Sequence, residues 1–126
     1  MPPHLPLTAT EREKLGALVN NISIYAAQII TRTLAGLVTT ALGNLTKLKN
    51  EQEELIKRVD ELAREQGEES PLRLIEDLRR VPADVAQMLT LVRRCLAASA
   101  FLGHLLAQPN DPQLTADPMK RETLLH

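Results

Sequence analysis

The sequence predicts an all-α fold, and three observations support this prediction. No proline occurs between Pro6 and Pro71, and proline is the residue that interrupts a helix most strongly. The apolar residues are mainly Leu, Ala, Val and Ile, of which Leu and Ala favour helix. These apolar residues also recur every three or four positions, which is the spacing of one helix face. The length of 126 residues corresponds to one domain.

The first helix is predicted to begin at Thr10, after an extended leader formed by residues 1–9. Thr10 and Glu13 have the spacing of a capping box, in which each side chain bonds to the other residue's backbone amide. Apolar residues then continue at helical spacing. From residue 15 to residue 46 the only charge is Arg32, which is unusual for a helix face in contact with water.

A heptad pattern follows the weakly charged stretch. We call it the heptad stripe, and its two series are Leu45, Gln52, Val59 and Leu48, Leu55, Leu62. Such series are typical of the a and d positions of a coiled coil, here with one polar member. Charges of both signs flank the stripe, and pairs such as Glu53 and Lys57 stand at the favourable i,i+4 spacing. The stripe therefore predicts a helix with a coiled-coil segment.

The dipeptide Gly43-Asn44 leaves two helical arrangements open. If the helix continues through it, residues 10–66 form one helix, and 71–107 returns beside it as a long helical hairpin with a coiled-coil segment. If the helix breaks there, the chain is an elongated three-helix bundle. The heptad phase is kept across the glycine, and one glycine costs a helix only about 1 kcal/mol. Both facts favour the continuous helix.

The helix boundaries after the heptad stripe have clear local signals. Gly67 fits the position just beyond a helix end, where a left-handed backbone conformation is common. Ser70 followed by Pro71 fits an N-cap and the first helical position. The helix 71–107 is predicted to be kinked near residue 82, because a proline occurs there.

The sequence contains no pattern that predicts an enzyme. Its three histidines, His4, His104 and His126, are isolated, so they predict no metal site and no acid–base pair. Neither a phosphate-binding glycine loop nor a nucleophile elbow is present. We therefore predict no catalytic residue, no cofactor and no bound metal.

The single cysteine and the chain end bear on the compartment and the domain limits. Cys95 is the only cysteine, which excludes an internal disulfide and predicts a reducing, cytoplasmic compartment. Because Cys95 shares its helix face with apolar residues, we predict that it is a buried core residue. Residues 108–126 are polar and proline-containing, which predicts a disordered tail.

Two arginine pairs, Arg79-Arg80 and Arg93-Arg94, are the candidates for a phosphate-contacting surface. Acidic neighbours such as Asp84 dilute the first pair, and no aromatic side chain lies between the pairs to stack on bases. The formal net charge is −1, whereas nucleic-acid binders usually carry a basic surplus. The sequence therefore predicts no nucleic-acid partner.

The wide uncharged surface before the heptad stripe predicts a function in association. A large exposed apolar surface on a soluble protein marks an interaction site. We therefore predict a non-enzymatic helical interaction module, a scaffold or adaptor subunit that forms homo- or hetero-oligomers through helix packing. Its predicted interaction residues are Ile22, Ile29, Ile30, Leu34, Leu37, Val38, Leu45, Leu48, Gln52, Leu55, Val59 and Leu62. A peripheral protein that binds a lipid surface through amphipathic helices is the alternative.

Overall fold

The chain is all-helical, as the sequence predicts. We describe it from a computed structural model, which covers residues 7–31, 35–80 and 84–108, with backbone alone at 35–38. Within these ranges no strand occurs. The helices are α1 (Ala9–Thr31), α2 (Ala35–Glu51), α3 (Glu53–Glu65), α4 (Pro71–Leu78) and α5 (Val85–Ala107). Residues 1–6 of the predicted leader and 109–126 of the predicted tail lie outside the described residues.

The first helix begins earlier than predicted, at Ala9. The capping box is formed by Thr8 and Glu11, and the predicted pair beginning at Thr10 is not the cap. The amide of Glu11 donates to Thr8 Oγ1 at 3.0 Å, and the amide of Thr8 donates to Glu11 Oε1 at 3.1 Å. Leu7, just before the cap, is buried in the core. Its burial fixes where the chain enters the helix, because an apolar residue preceding the cap sets the entry angle.

The predicted continuous helix 10–66 is wrong, because the chain reverses direction between α1 and α2. Lys14 and Glu51 form an ion pair at 3.5 Å, and Asn44 donates to Asn21 at 3.4 Å. From the first pair to the second the position advances along α1, from Lys14 to Asn21, and moves back along α2, from Glu51 to Asn44, so the two helices are antiparallel. The residues that would have formed one rod instead pack against each other.

The predicted break at Gly43-Asn44 is wrong as well, since α2 continues through both residues. The interruption lies at Gln52, whose φ of −122° and ψ of 42° separate α2 from α3. The heptad stripe is therefore divided between two helices. Its buried members join the chain's own core, and this differs from the packing of a straight coiled coil.

The turn between α3 and α4 confirms the local signals. Gly67 has a φ of 71°, the left-handed conformation that glycine adopts without steric cost. The amide of Glu68 donates to Ala63 O at 2.8 Å, which satisfies a carbonyl at the end of α3. At the start of α4, Ser70 is the N-cap, and its side chain accepts from the amide of Arg73 at 3.1 Å.

The predicted kinked helix 71–107 is two helices. The first, α4, ends at Leu78, and α5 begins at Val85. Asp84 is the N-cap of α5, because its side chain accepts from the third amide of that helix at 2.8 Å. A new cap satisfies amides that a continuing helix would have bonded, so it marks a separate start. Pro82 itself lies outside the described residues.

Helix α1 has the most extensive contacts, first with α5 and second with α2. The guanidinium of Arg12 donates to Leu106 O, and Ser23 and Ser99 are 3.2 Å apart through their hydroxyls. These pairs make α1 antiparallel to α5 as well. Since α1 packs against two other long helices, it needs few charged residues, which explains the weakly charged stretch in its sequence.

Both ends of the short helix α4 are bonded by side chains from other helices. At its start, Asp60 of α3 accepts from Ser70 Oγ and from the amide of Leu72 at 3.4 Å. At its end, Tyr25 of α1 donates its hydroxyl to Leu78 O at 2.9 Å. Burial raises the pKa of Tyr25, so this hydroxyl stays a donor. The position of α4 is thereby fixed from two sides.

Cys95 is a free, fully buried cysteine, which confirms the prediction of a core residue. Burial raises the pKa of its thiol from 9.0 to about 12, although the neighbouring charge of Arg94 acts in the opposite direction. A raised pKa stabilises the fold below the unfolded value of 9.0, and this contribution is lost as the pH rises towards 12.

We expect the thiol of the folded chain to react slowly with alkylating reagents. Because burial raises its pKa from 9.0 to about 12, the thiolate fraction near neutral pH is about a thousandfold lower than in the unfolded chain. The rate of alkylation with and without urea measures this difference. In a companion measurement, the free energy of unfolding above pH ~9 should fall more steeply for the natural chain than for Cys95→Ala. Equal slopes would contradict the raised pKa.

Candidate interaction surface

The structure places most of the predicted interaction residues in the chain's own core. Five of them are buried, namely Ile22, Leu45, Leu55, Val59 and Leu62. Three are half-buried, namely Ile29, Leu48 and Gln52, and Ile30 is exposed. Leu34, Leu37 and Val38 lie outside the described side chains. The buried members are at most 4% exposed, so in this fold they are unavailable to a partner. Periodicity shows which side of a helix is buried but not what covers it, and the role of these residues in binding a partner stays a prediction.

A different set of apolar side chains is exposed. Among the described residues, the large apolar side chains on the surface all belong to α1 and α5. They are Ile24 (39% exposed), Ile30 (62%), Val85 (55%), Leu89 (49%) and Leu96 (56%), and we call them the α1/α5 patch. Single exposed apolar residues are common on proteins, but a group that lies together marks a binding surface. Ile30, Val85 and Leu89 meet this condition, because they line one cavity.

The helical spacing of α5 collects its part of the patch into one row. Val85, Leu89 and Leu96 lie within about 40° of one another around the helix axis. Beside this row, α1 and α5 enclose a shallow apolar cavity of about 140 Å³, which has Ile30, Val85 and Leu89 in its lining together with Ile29, Met88 and Val92. The patch is therefore a row of side chains next to a depression, a shape that a helix or an extended apolar segment fits.

The patch is almost uncharged. On α1 no charged residue occurs between Lys14 and the helix end, and on α5 the charged residues are Arg93 and Arg94. Arg94 points away from the patch, because it pairs with Glu69 at 2.6 Å and with Asp77 at 2.9 Å. Arg93 is exposed one turn after Leu89, and within the described ranges no residue forms an ion pair with it. One unpaired cation thus stands at the edge of the patch.

Sequence reasoning missed the α5 members of this surface. Val85, Leu89 and Leu96 belong to an apolar pattern that helical spacing alone assigns to the buried side. Their signal was present, because Leu91, Cys95 and their neighbours already supply a complete buried face on the other side of the helix. A helix with apolar residues on both sides has more apolar surface than its own fold covers.

Helix α5 also has the length and the mean hydropathy, 1.3, of a segment that crosses a membrane. By this criterion it is the one such helix in the described part of the chain. Buried core helices of soluble proteins meet the same criterion, so it carries little weight alone. The more informative observation is that only 28% of the most apolar 18-residue stretch of α5 is buried, which is low for a core helix.

The described residues contain no group of three metal-ligating side chains. Comparison of the chain with protein-family models, with curated proteins and with solved structures gives no match. The proposed function therefore depends on the arrangement of the described residues, above all on the α1/α5 patch.

Proposed function

We propose that the protein is a non-enzymatic helical interaction module, acting as a scaffold or adaptor subunit in the cytoplasm. In this proposal the α1/α5 patch binds one amphipathic helix of another protein. The single observation that carries it is the row of exposed apolar side chains on α5 beside the apolar depression between α5 and α1. Association through such a surface would bury apolar area, which is the main favourable term in protein association.

A helix is the occupant that the shape and charge favour. An amphipathic helix presents apolar residues at i, i+3, i+4 and i+7, and this spacing matches a groove between two helices. Arg93 at the edge of the patch favours a partner with a carboxylate beside its apolar row. Covering an unpaired arginine is costly, and a partner carboxylate offsets the cost.

The same charge argues against a second copy of the chain as the partner. In a two-fold symmetric dimer each patch meets the identical patch. A second copy would bring no carboxylate to pair with Arg93, because α1 after Lys14 and α5 contain no Asp or Glu, and an arginine covered without a partner is costly. A lipid surface is the second candidate, supported by the apolar and largely exposed α5, but one arginine and no exposed Trp or Phe make weak anchors.

Site-specific photo-crosslinking tests the proposal. A photoreactive amino acid would replace Leu96 in the patch or, as a matched control, Glu54 on the exposed side of α3, in cells that produce the protein naturally. We expect the Leu96 site to be joined to a helical segment of one protein, and the Glu54 site to give no such product. The crosslinked segment is then synthesised and titrated against purified variants. Leu96→Asp should weaken binding at least about tenfold, because it places a charge in an apolar contact, whereas Glu54→Gln should leave it unchanged.

The other outcomes identify the alternatives. Crosslinks from Leu96 to a second copy would replace the helix partner by a homo-oligomer, and light scattering would then show a mass above the monomer. Crosslinks to lipid, with sedimentation on vesicles, would favour the lipid-surface function. Equal products from Leu96 and Glu54 would show that the patch has no special role.

A further inference from the structure

A second surface, separate from the α1/α5 patch, collects arginines. Arg73, Arg80 and Arg94 line one cleft between α4 and the first half of α5, with a volume of about 510 Å³. This volume is within the range of small-molecule sites. Arg73 lies in α4, and Arg80 lies two residues beyond the end of that helix at Leu78. The helical turn extends to Arg80, because its amide donates to Asp77 O at 3.1 Å.

The acidic residues of the cleft are already bonded. Asp77 pairs with Arg94 at 2.9 Å, and the side chain of Asp84 accepts from the amide of Gln87 at 2.8 Å. Glu69 accepts from Arg94 as well. In the ranges that the structure describes, Arg73 and Arg80 form no ion pair and are exposed to solvent. The cleft therefore has two guanidinium groups without an ion pair. Of its two carboxylates, Asp77 is paired, whereas Asp84 keeps its charge and offsets one arginine, so the lining charges sum to +1.

We infer that this cleft binds a small anion that carries phosphate groups, such as a diphosphate or a phosphorylated metabolite. A guanidinium donates two parallel hydrogen bonds to a phosphate, so it recognises both the charge and the geometry of that group. Two such groups in one cleft fit a ligand with more than one anionic group. The start of α5 also borders the cleft through Ala86, but the carboxylate of Asp84 already caps that helix end, so the arginines supply the attraction. The inference is independent of the proposed function, because it uses other residues.

Titration with pyrophosphate tests this site, with Arg79 and Arg80 as a matched pair. Both are exposed arginines, but Arg80 lines the cleft, whereas Arg79 pairs with Glu76 at 3.8 Å and does not line it. Arg80→Gln and Arg79→Gln each remove one positive charge, at neighbouring positions. We expect calorimetric binding to the natural chain and to Arg79→Gln, and at least about tenfold weaker binding to Arg80→Gln.

Thermal melting supplies the second measurement and the fold control. Without anion, both variants should melt like the natural chain, since each changes one exposed side chain. With pyrophosphate at constant ionic strength, the midpoint should rise for the natural chain and Arg79→Gln, but not for Arg80→Gln. Equal responses of the two variants would show general charge screening and overturn the site. If the natural chain does not bind pyrophosphate at millimolar concentration, the site is overturned as well. Binding of citrate as tight as that of pyrophosphate would overturn the assignment to phosphate.

Discussion

Leu45→Asp should unfold the chain, although the heptad position of Leu45 predicts an interface with another protein. In the structure its side chain is fully buried in the chain's own core. The substitution removes about 2–3 kcal/mol of apolar burial and adds the cost of an unpaired buried carboxylate, which is several kcal/mol. The total stability of a domain is typically about 5–15 kcal/mol. We therefore expect loss of the helical circular-dichroism signal, or a large fall in the urea midpoint.

Leu96→Asp is the matched control for this experiment. It makes the same chemical change in a leucine that is 56% exposed on α5, where the new carboxylate remains in water. We expect the variant to keep its helical signal and to change the free energy of unfolding by no more than about 0.5–1 kcal/mol. The opposite result, a folded Leu45→Asp and an unfolded Leu96→Asp, would reverse the assignment of core and surface.

The features that could be predicted are those set by a few neighbouring residues. Gly67 and Ser70 bracket the turn between α3 and α4 as predicted, because a helix end needs only a left-handed residue and a helix start only a side-chain acceptor. The buried state of Cys95 was predictable in the same way from its neighbours on one helix face. The all-α class also follows from local spacing and composition.

The arrangement of the helices could not be predicted from these local signals. No proline lies near the reversal between α1 and α2, and the nearest glycine, Gly36, lies in the first turn of α2, so the patterns in the sequence predict no reversal there. The heptad phase across Gly43 fits a long rod and a chain that folds back equally well. Which partner covers an apolar face depends on residues distant in sequence, and periodicity contains no information about them. For the same reason Ile30 is the one member of the α1/α5 patch that was predicted.

The second large effect is expected at Asp60, the residue of α3 that bonds the start of α4. Its side chain is buried, and the residue is 3% exposed. It accepts from Ser70 Oγ and the amide of Leu72, and it pairs with Arg64 at 3.0 Å. Asp60→Ala removes these acceptors and leaves the half-buried donors of Ser70 and Leu72 without this partner. We expect the free energy of unfolding to fall by about 2–4 kcal/mol, because bonds to charged groups and caps are each worth about 1–3 kcal/mol.

Two further variants separate the hydrogen bonds of Asp60 from its charge. Asp60→Asn keeps an oxygen that accepts from Ser70 and Leu72, so it should lose roughly half as much stability as Asp60→Ala. Arg64→Gln removes only the ion-pair partner, whose side chain is 66% exposed, and exposed pairs contribute at most about 1 kcal/mol. Urea unfolding of the three variants measures how much each substitution lowers the free energy of unfolding. If Asp60→Ala costs no more than Arg64→Gln, the bonds to the start of α4 do not stabilise the fold. If Asp60→Asn costs as much as Asp60→Ala, the negative charge at the helix start is the dominant contribution.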